Sequence, residues 1–285
     1  MNIKTRREFI RTASLLSAGA MAMKAFPFNI PNPLEEMIGL QLYTLRDTVE
    51  KDTLDTLIKV SEIGYNSLEP YGFDGKFFGY PAKEFRQVAE DLGMKVTSTH
   101  ASITRDNASI LAYEGAEAGL EYLVLPSFSG RPDKTPDDFK RAAEEMNRIG
   151  EITKKAGIRF GYHNHDFEFK DSDEGILYDI LLKEIEPDLV CFELDIFWII
   201  KGGQDPLVYF KNFPGRFELW HVKDMDEKGN SCVIGQGNID YQKIFTHADE
   251  SGMKRFYVEQ EQYEDSPITE TEKSYNFISN YLVSE

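Results

Sequence analysis

Residues 137–195 read DDFKRAAEEMNRIGEITKKAGIRFGYHNHDFEFKDSDEGILYDILLKEIEPDLVCFELD. Asp137 to Ala156 carries apolar side chains at helical spacing, and Gly157 stands where a helix stops. Ile158 to Asn164 is a short apolar run of strand character. Ile176 to Ile185 is helical again, and Leu189 to Asp195 is a second strand. The same alternation continues in both directions. The other strand candidates are Ile38 to Leu42, Ser67 to Glu69, Lys95 to His100, Tyr122 to Leu125, Phe217 to Val222 and Phe256 to Glu259. Leu54 to Ile63 and Ala82 to Leu92 are helical, and Gly64, Gly93, Gly119 and Gly252 are further helix stops. Strands that alternate with helices build a parallel sheet. The strand count of eight favours a closed ring over an open sheet. Gly39-Leu40-Gln41-Leu42-Tyr43-Thr44 follows the first strand where an open nucleotide-binding sheet would carry a glycine-rich loop. The reading is α/β, a single (β/α)8 TIM barrel over residues 34–285, close to the usual length of about 250 residues.

The chain has 285 residues, 41% of them hydrophobic, enough for a sizeable core. Asp and Glu number 49 against 32 Lys and Arg, a formal net charge of −17. Phosphate backbones repel such a surface, so no nucleic acid partner is expected. The first residues differ from the rest. Thr5-Arg6-Arg7-Glu8-Phe9-Ile10-Arg11 precedes a weakly apolar run, Thr12 to Met23. Residues 1–25 are read as a signal peptide, and the paired arginines before Phe9-Ile10 resemble a twin-arginine signal. The expectation is export, to a periplasm, with no stable membrane span, because the apolar run is too short. The two cysteines, Cys191 and Cys232, call for no disulfide. A homo-oligomer is left open.

In barrels of this kind the working side chains stand at the C-terminal ends of the strands. The polar residues collect there: Glu69, His100, His163 and His165, Glu193 and Asp195, His221 and Lys223, and Glu259. The chain has only five histidines, and His247 alone lies outside these strand ends, on a surface helix. Carboxylates are hard donors and imidazoles borderline ones. Their mixture suits one divalent ion, Mn, Zn, Co or Mg. Such an ion polarises sugar oxygens, and a neighbouring carboxylate moves a proton next to a carbonyl.

Five stretches carry a family resemblance: Tyr162-His163-Asn164-His165-Asp166-Phe167-Glu168-Phe169, Glu193-Leu194-Asp195-Ile196-Phe197-Trp198, Gly203-Gln204-Asp205-Pro206, His221-Val222-Lys223-Asp224 and Val258-Glu259. With them the chain resembles the sugar phosphate isomerase/epimerase family, whose barrel is xylose isomerase-like. The resemblance runs from Ile38 to the C-terminus. It implies a Glu, Asp, His, Glu metal set. Asp195, His221 and Glu259 match three of its members. His163 stands at the first position, with His165 or Glu168 as alternatives. Family epimerases often place a histidine three residues after the metal Asp, where this chain has Trp198. Trp198 is read as a core aromatic or a platform for a sugar ring.

Glu259 or Glu168 is the expected proton carrier. Lys223 is expected to polarise a substrate oxygen, or to form a salt bridge with Asp224 or Glu193. Glu69, His100, His165 and Trp198 are expected around a small carbohydrate substrate, and Glu193 deeper in the barrel. Arg216 is read as part of a loop closing the site or of a surface turn. The expected activity is a sugar isomerase or epimerase, with a lyase or dehydratase on a keto-sugar or keto-glycoside as the alternative. A non-catalytic sugar-binding barrel is the remote reading. A nuclease of the endonuclease IV type conflicts with the acidic charge and the few histidines.

Overall fold

The computed structural model describes residues 38–128 and 135–283. Eight parallel strands form its centre: β1 (Ile38–Gln41), β2 (Ser67–Glu69), β3 (Lys95–Val96), β4 (Tyr122–Leu125), β5 (Arg159–His163), β6 (Val190–Asp195), β7 (Leu219–Val222) and β8 (Arg255–Val258). They pair in the order β3-β2-β1-β8-β7-β6-β5-β4. The ring is completed between the segment after β3 and β4. Tyr122 N–H donates to Thr97 O at 3.0 Å and Val124 N–H to Thr99 O at 2.9 Å, and His100 bridges Val124 in parallel. The expected eight-strand α/β barrel is therefore what the chain forms.

The third strand is shorter than Lys95 to His100. Its ladder with β2 covers only Lys95 and Val96. Beyond it the backbone leaves β2, and His100 N–H donates to Pro70 O at 3.0 Å. That departure brings His100 over the barrel mouth.

The helix Pro136–Lys155 shows how local sequence sets an element. Thr135 and Asp138 form a capping box, Pro136 occupies the first turn, and Lys154 and Lys155 end the helix against its dipole. Phe139, Ala143, Met146 and Ile149 recur at helical spacing and are buried. Each large apolar side chain buried here contributes about 1.5–3 kcal/mol as an upper estimate. Gly150 lets the helix approach the chain entering β6, since a Cβ there would meet Leu189 O at 2.8 Å.

Three short hairpins, Lys76–Phe77 with Tyr80–Pro81, Asp171–Ser172 with Gly175–Ile176, and Asp224–Met225 with Ser231–Cys232, follow β2, β5 and β7. All lie in loops on the C-terminal side of the barrel. Cys191 and Cys232 are both free thiols. Among the described residues no helix is long and apolar enough to cross a membrane. The segment read as a signal peptide lies outside the described residues.

Candidate metal centre and active site

Strand alternation stacks the inward side chains in layers, because residues i and i+2 share a face. Cys191, Glu193 and Asp195 climb β6. Leu219, His221 and Lys223 climb β7 and its end. Tyr257 and Glu259 do so on β8. The lowest layer is apolar and buried: Tyr122, Val124, Cys191, Leu219 and Tyr257. Polar groups begin above it.

The middle layer joins Glu69, His100, Glu193 and His221. His221 Nε2 lies 2.8 Å from Glu69 Oε2, and His100 Nε2 lies 2.6 Å from Glu193 Oε2. Gln41 donates to Glu69 Oε2 at 2.9 Å, and the Ser98 hydroxyl donates to its other oxygen. Burial opposes ionisation of both glutamates. For Glu69, His100 and the His221 and Ser98 hydrogen bonds outweigh burial and bring it to about 2. Glu193 is pushed well above the usual carboxylate range by burial and by the charge of Glu69. Burial and Glu69 thus disfavour the charged form of Glu193, while hydrogen bonds favour that of Glu69 beneath His221.

The upper layer joins His163, Asp195, His221 and Glu259, whose ligand atoms all lie within 4.8 Å of one another. His163 Nε2 is 3.4 Å from Asp195 Oδ2, and His221 Nδ1 is 3.3 Å from Glu259 Oε2. His163 Nε2, Asp195 Oδ2 and His221 Nδ1 are buried and make no hydrogen bond among the described residues. Their other atoms are committed. His163 Nδ1 faces Pro126 O at 3.1 Å, which places the ring hydrogen there and frees Nε2. Asp195 Oδ1 caps the helix Ile196–Lys201 by accepting from Trp198 N–H at 2.9 Å. Asn164 Oδ1 accepts from Asp195 N–H at 3.0 Å and fixes that backbone.

These ligand atoms fit a divalent cation, which would share Asp195 Oδ2 with the Lys223 ammonium 3.1 Å away. Two imidazoles and two carboxylates suit Zn, Mn or Co, and less well Mg. Charge agrees. Lys223 Nζ lies 3.1, 2.6 and 2.7 Å from Asp195, Glu259 and Glu261. Three carboxylates face that ammonium and the His221 imidazole, whose pKa is raised against its burial by Glu193 and Glu259, so negative charge stays in excess. Burial works against the ammonium, yet Asp195 and Glu259 raise the Lys223 pKa and hold it charged. Glu259 is held ionised against its burial by Lys223 and His221.

A cavity of about 380 Å³ opens onto this layer, and its lining includes His100, His163, His165, Trp198, Glu259 and Glu261, with Tyr43 and Tyr71 at one side. A larger hollow of about 620 Å³ borders Arg159, Glu218 and Lys254, which enter or precede the strands at the opposite end. Arg159 and Lys254 are each paired there with Glu218 at 2.8 Å. We place the chemistry at the smaller cavity, which adjoins the unpaired ligand atoms.

The structure thus brings His163, Asp195, His221 and Glu259 together, with His100 and His165 on the cavity wall. Glu193 lies deeper, as read. Several expectations need correction. Glu168 does not line the cavity. It is buried, accepts from Tyr162 O–H at 2.6 Å and from His165 N–H at 2.9 Å, and positions His165 from behind. Burial raises its pKa to about 7. Glu69 is buried beneath His221 and turns that ring instead of lining the cavity. Lys223 pairs with neither Asp224 nor Glu193; Asp224 accepts backbone N–H groups of Gly235, Gly237 and Ile239. The Trp198 ring lies 4.9 Å from Lys201 Nζ and 5.1 Å from Lys223 Nζ, so its face meets cations. Arg216 precedes β7, far from the strand ends, and donates to Leu182 O and Ile185 O. His247 is at the surface, against Glu250 at 2.9 Å. Glu261, Tyr43 and Tyr71 were missed. Glu261 was detectable by continuing the alternation of Tyr257 and Glu259.

The pattern of the xylose isomerase-like TIM barrel family matches residues 57–281. A solved structure, a sugar phosphate isomerase/epimerase from Parabacteroides distasonis, superposes with TM-score 0.79 at 30% identity, covering 93% of this chain and 99% of that one. An inosose dehydratase of Clostridium tetani is 26% identical over 141 residues, 43% of this chain and 47% of the relative. The chain spans about half the length of the first curated relatives it matches. The IolI protein, solved with a bound zinc atom, shares the fold at 14% identity, TM-score 0.69, over 86% of this chain and 99% of its own.

Proposed function

Because the chain belongs to the xylose isomerase-like TIM barrel family, we propose that it is a metal-dependent lyase or dehydratase acting on a keto-sugar or keto-glycoside. The observation that carries this is the convergence of three buried ligand atoms that make no hydrogen bond among the described residues, His163 Nε2, Asp195 Oδ2 and His221 Nδ1, beside Glu259 at a cavity. His163, Asp195, His221 and Glu259 would hold the ion. A bound divalent ion supplies Lewis-acid polarisation of substrate oxygens.

The chain's own residues supply the rest. Glu259 faces the cavity as a carboxylate and takes the proton from the carbon next to the carbonyl. The electron pair released from that C–H bond forms a carbon–carbon double bond. The C–O bond on the next carbon breaks, and its oxygen takes up the proton that Glu259 removed and leaves as water or alcohol. Lys223, held between Asp195, Glu259 and Glu261, offsets negative charge in the layer. The inosose dehydratase relatives support this reading.

An isomerase or epimerase is the second reading, supported by the Parabacteroides distasonis structure. It uses the same proton abstraction, and the proton returns to carbon. The two separate by product. Incubation of metal-loaded protein with an inosose and with a 3-keto-glucoside is expected to yield an unsaturated ketone absorbing in the ultraviolet. Formation of a sugar epimer alone would favour the second reading, and activity confined to sugar phosphates would contradict the first. We further propose that residues 1–25 direct export to a periplasm.

A further inference from the structure

Two more buried polar atoms lack a hydrogen-bond partner among the described residues, Trp198 Nε1 and His165 Nδ1, and both belong to side chains of residues that line the cavity. Their rings are neighbours, with centroids 5.4 Å apart. The backbone of each residue is held from behind. Trp198 N–H donates to Asp195 Oδ1 at 2.9 Å, and His165 N–H donates to Glu168 Oε2 at 2.9 Å. The indole face is engaged by Lys201 and Lys223, so the ring's N–H is what remains to offer. An indole N–H only donates, whereas an imidazole nitrogen donates or accepts. A buried donor left unmet is costly, and proteins retain such groups where a ligand meets them.

We propose that Trp198 Nε1 and His165 Nδ1 form a clamp for one hydroxyl of a polyhydroxylated substrate ring. The inference rests on the functional reading above and deepens it. A hydroxyl oxygen accepts from the indole while its hydrogen reaches the imidazole, so one group satisfies both. Neither member of the pair is an ammonium or guanidinium, which is what a phosphate would call for. The His165 ring lies 5.0 Å from that of His163 and 5.4 Å from that of Trp198, so the clamp stands beside the upper layer and would hold an oxygen next to those that an ion there would take. Trp198 is therefore a specificity-determining residue through its N–H.

The test is calorimetric binding of an inosose, and of the same ring lacking one hydroxyl at a time, to metal-loaded protein. Trp198→Phe keeps an aromatic ring and removes the donor. Inosose is expected to bind this variant roughly 10- to 100-fold more weakly, with metal content per chain unchanged. One deoxy ring is expected to bind wild type and variant alike. Trp198→Phe within about 2-fold of wild type for inosose would overturn the clamp alone. Should the variant not fold, the deoxy series on wild type decides: a loss concentrated at one position supports the clamp, and small uniform losses overturn it. Wild-type protein that carries metal yet binds no keto-ring at all would overturn the functional reading, and the clamp with it.

Discussion

His163 Nε2 and Asp195 Oδ2 face each other 3.4 Å apart at the ends of neighbouring strands, both buried and without a hydrogen bond among the described residues. A divalent cation fits between them and His221, beside the Lys223 ammonium that Asp195 Oδ2 meets at 3.1 Å. The rest of the layer is arranged to keep them so, and the expected behaviour of variants follows from which atom each neighbour occupies.

Glu69 holds His221 by Nε2 at 2.8 Å. A carboxylate behind a ligand histidine fixes its tautomer and raises its basicity. Glu69→Ala is expected to weaken divalent-metal binding by about 10- to 100-fold while leaving the ion count at saturation unchanged. Titration with Zn under a competing chelator reads this directly. Wild-type affinity in the variant would show that the middle layer does not support the upper one.

Lys223 is buried among Asp195, Glu259 and Glu261. Its removal leaves carboxylates facing one another without a counter-charge, a loss of about 3–5 kcal/mol for a buried pair. Lys223→Met is expected to melt well below wild type without metal and to recover more than wild type when a divalent ion is added. The ion then supplies the charge that the ammonium supplied. Equal stabilisation of both proteins by metal would count against a shared charge balance.

Glu168 has a pKa raised to about 7 from 4.5 by burial. The sign follows from proton uptake. Between these values the folded state holds a proton that the unfolded chain has lost, so stability falls as pH rises from about 4.5 through about 7. Below that window the term is fully present. Denaturant unfolding at pH 5 and pH 8 is expected to show this decline in wild type and a smaller one in Glu168→Gln. Identical declines would remove Glu168 as the source.

Much of the barrel is legible because parallel strands are short apolar runs separated by amphipathic helices, and because inward residues alternate. That alternation puts Asp195, His221 and Glu259 on one face, and it also explains Glu193. The middle and upper layers differ by one step of two residues along a strand, a height that spacing alone does not assign. Hence Glu69 read as a cavity residue although it lies under His221. Glu168 misled because its position after β5 suggested the rim, whereas the short helix Phe167–Phe169 turns its side chain inward to Tyr162. The partners of Lys223 and the cavity walls Tyr43 and Tyr71 depend on contacts between distant segments, which no local pattern encodes. The hairpin after β2 joins residues too few to show strand periodicity.

Export is tested separately. Residues 1–25 fused to a reporter protein are expected to carry it to the periplasm of a twin-arginine-competent host, and Arg6→Lys with Arg7→Lys is expected to abolish transport. Transport that persists in the double variant would point to another route.

The most direct measurement is the metal content of the protein from residue 26 onward, by elemental analysis, beside Asp195→Ala. The account expects about one divalent ion per chain in the first, and its loss in the second with the fold retained. No bound metal, together with no thermal stabilisation by Mn, Zn, Co or Mg, would contradict the metal centre and leave a sugar-binding barrel as the better description.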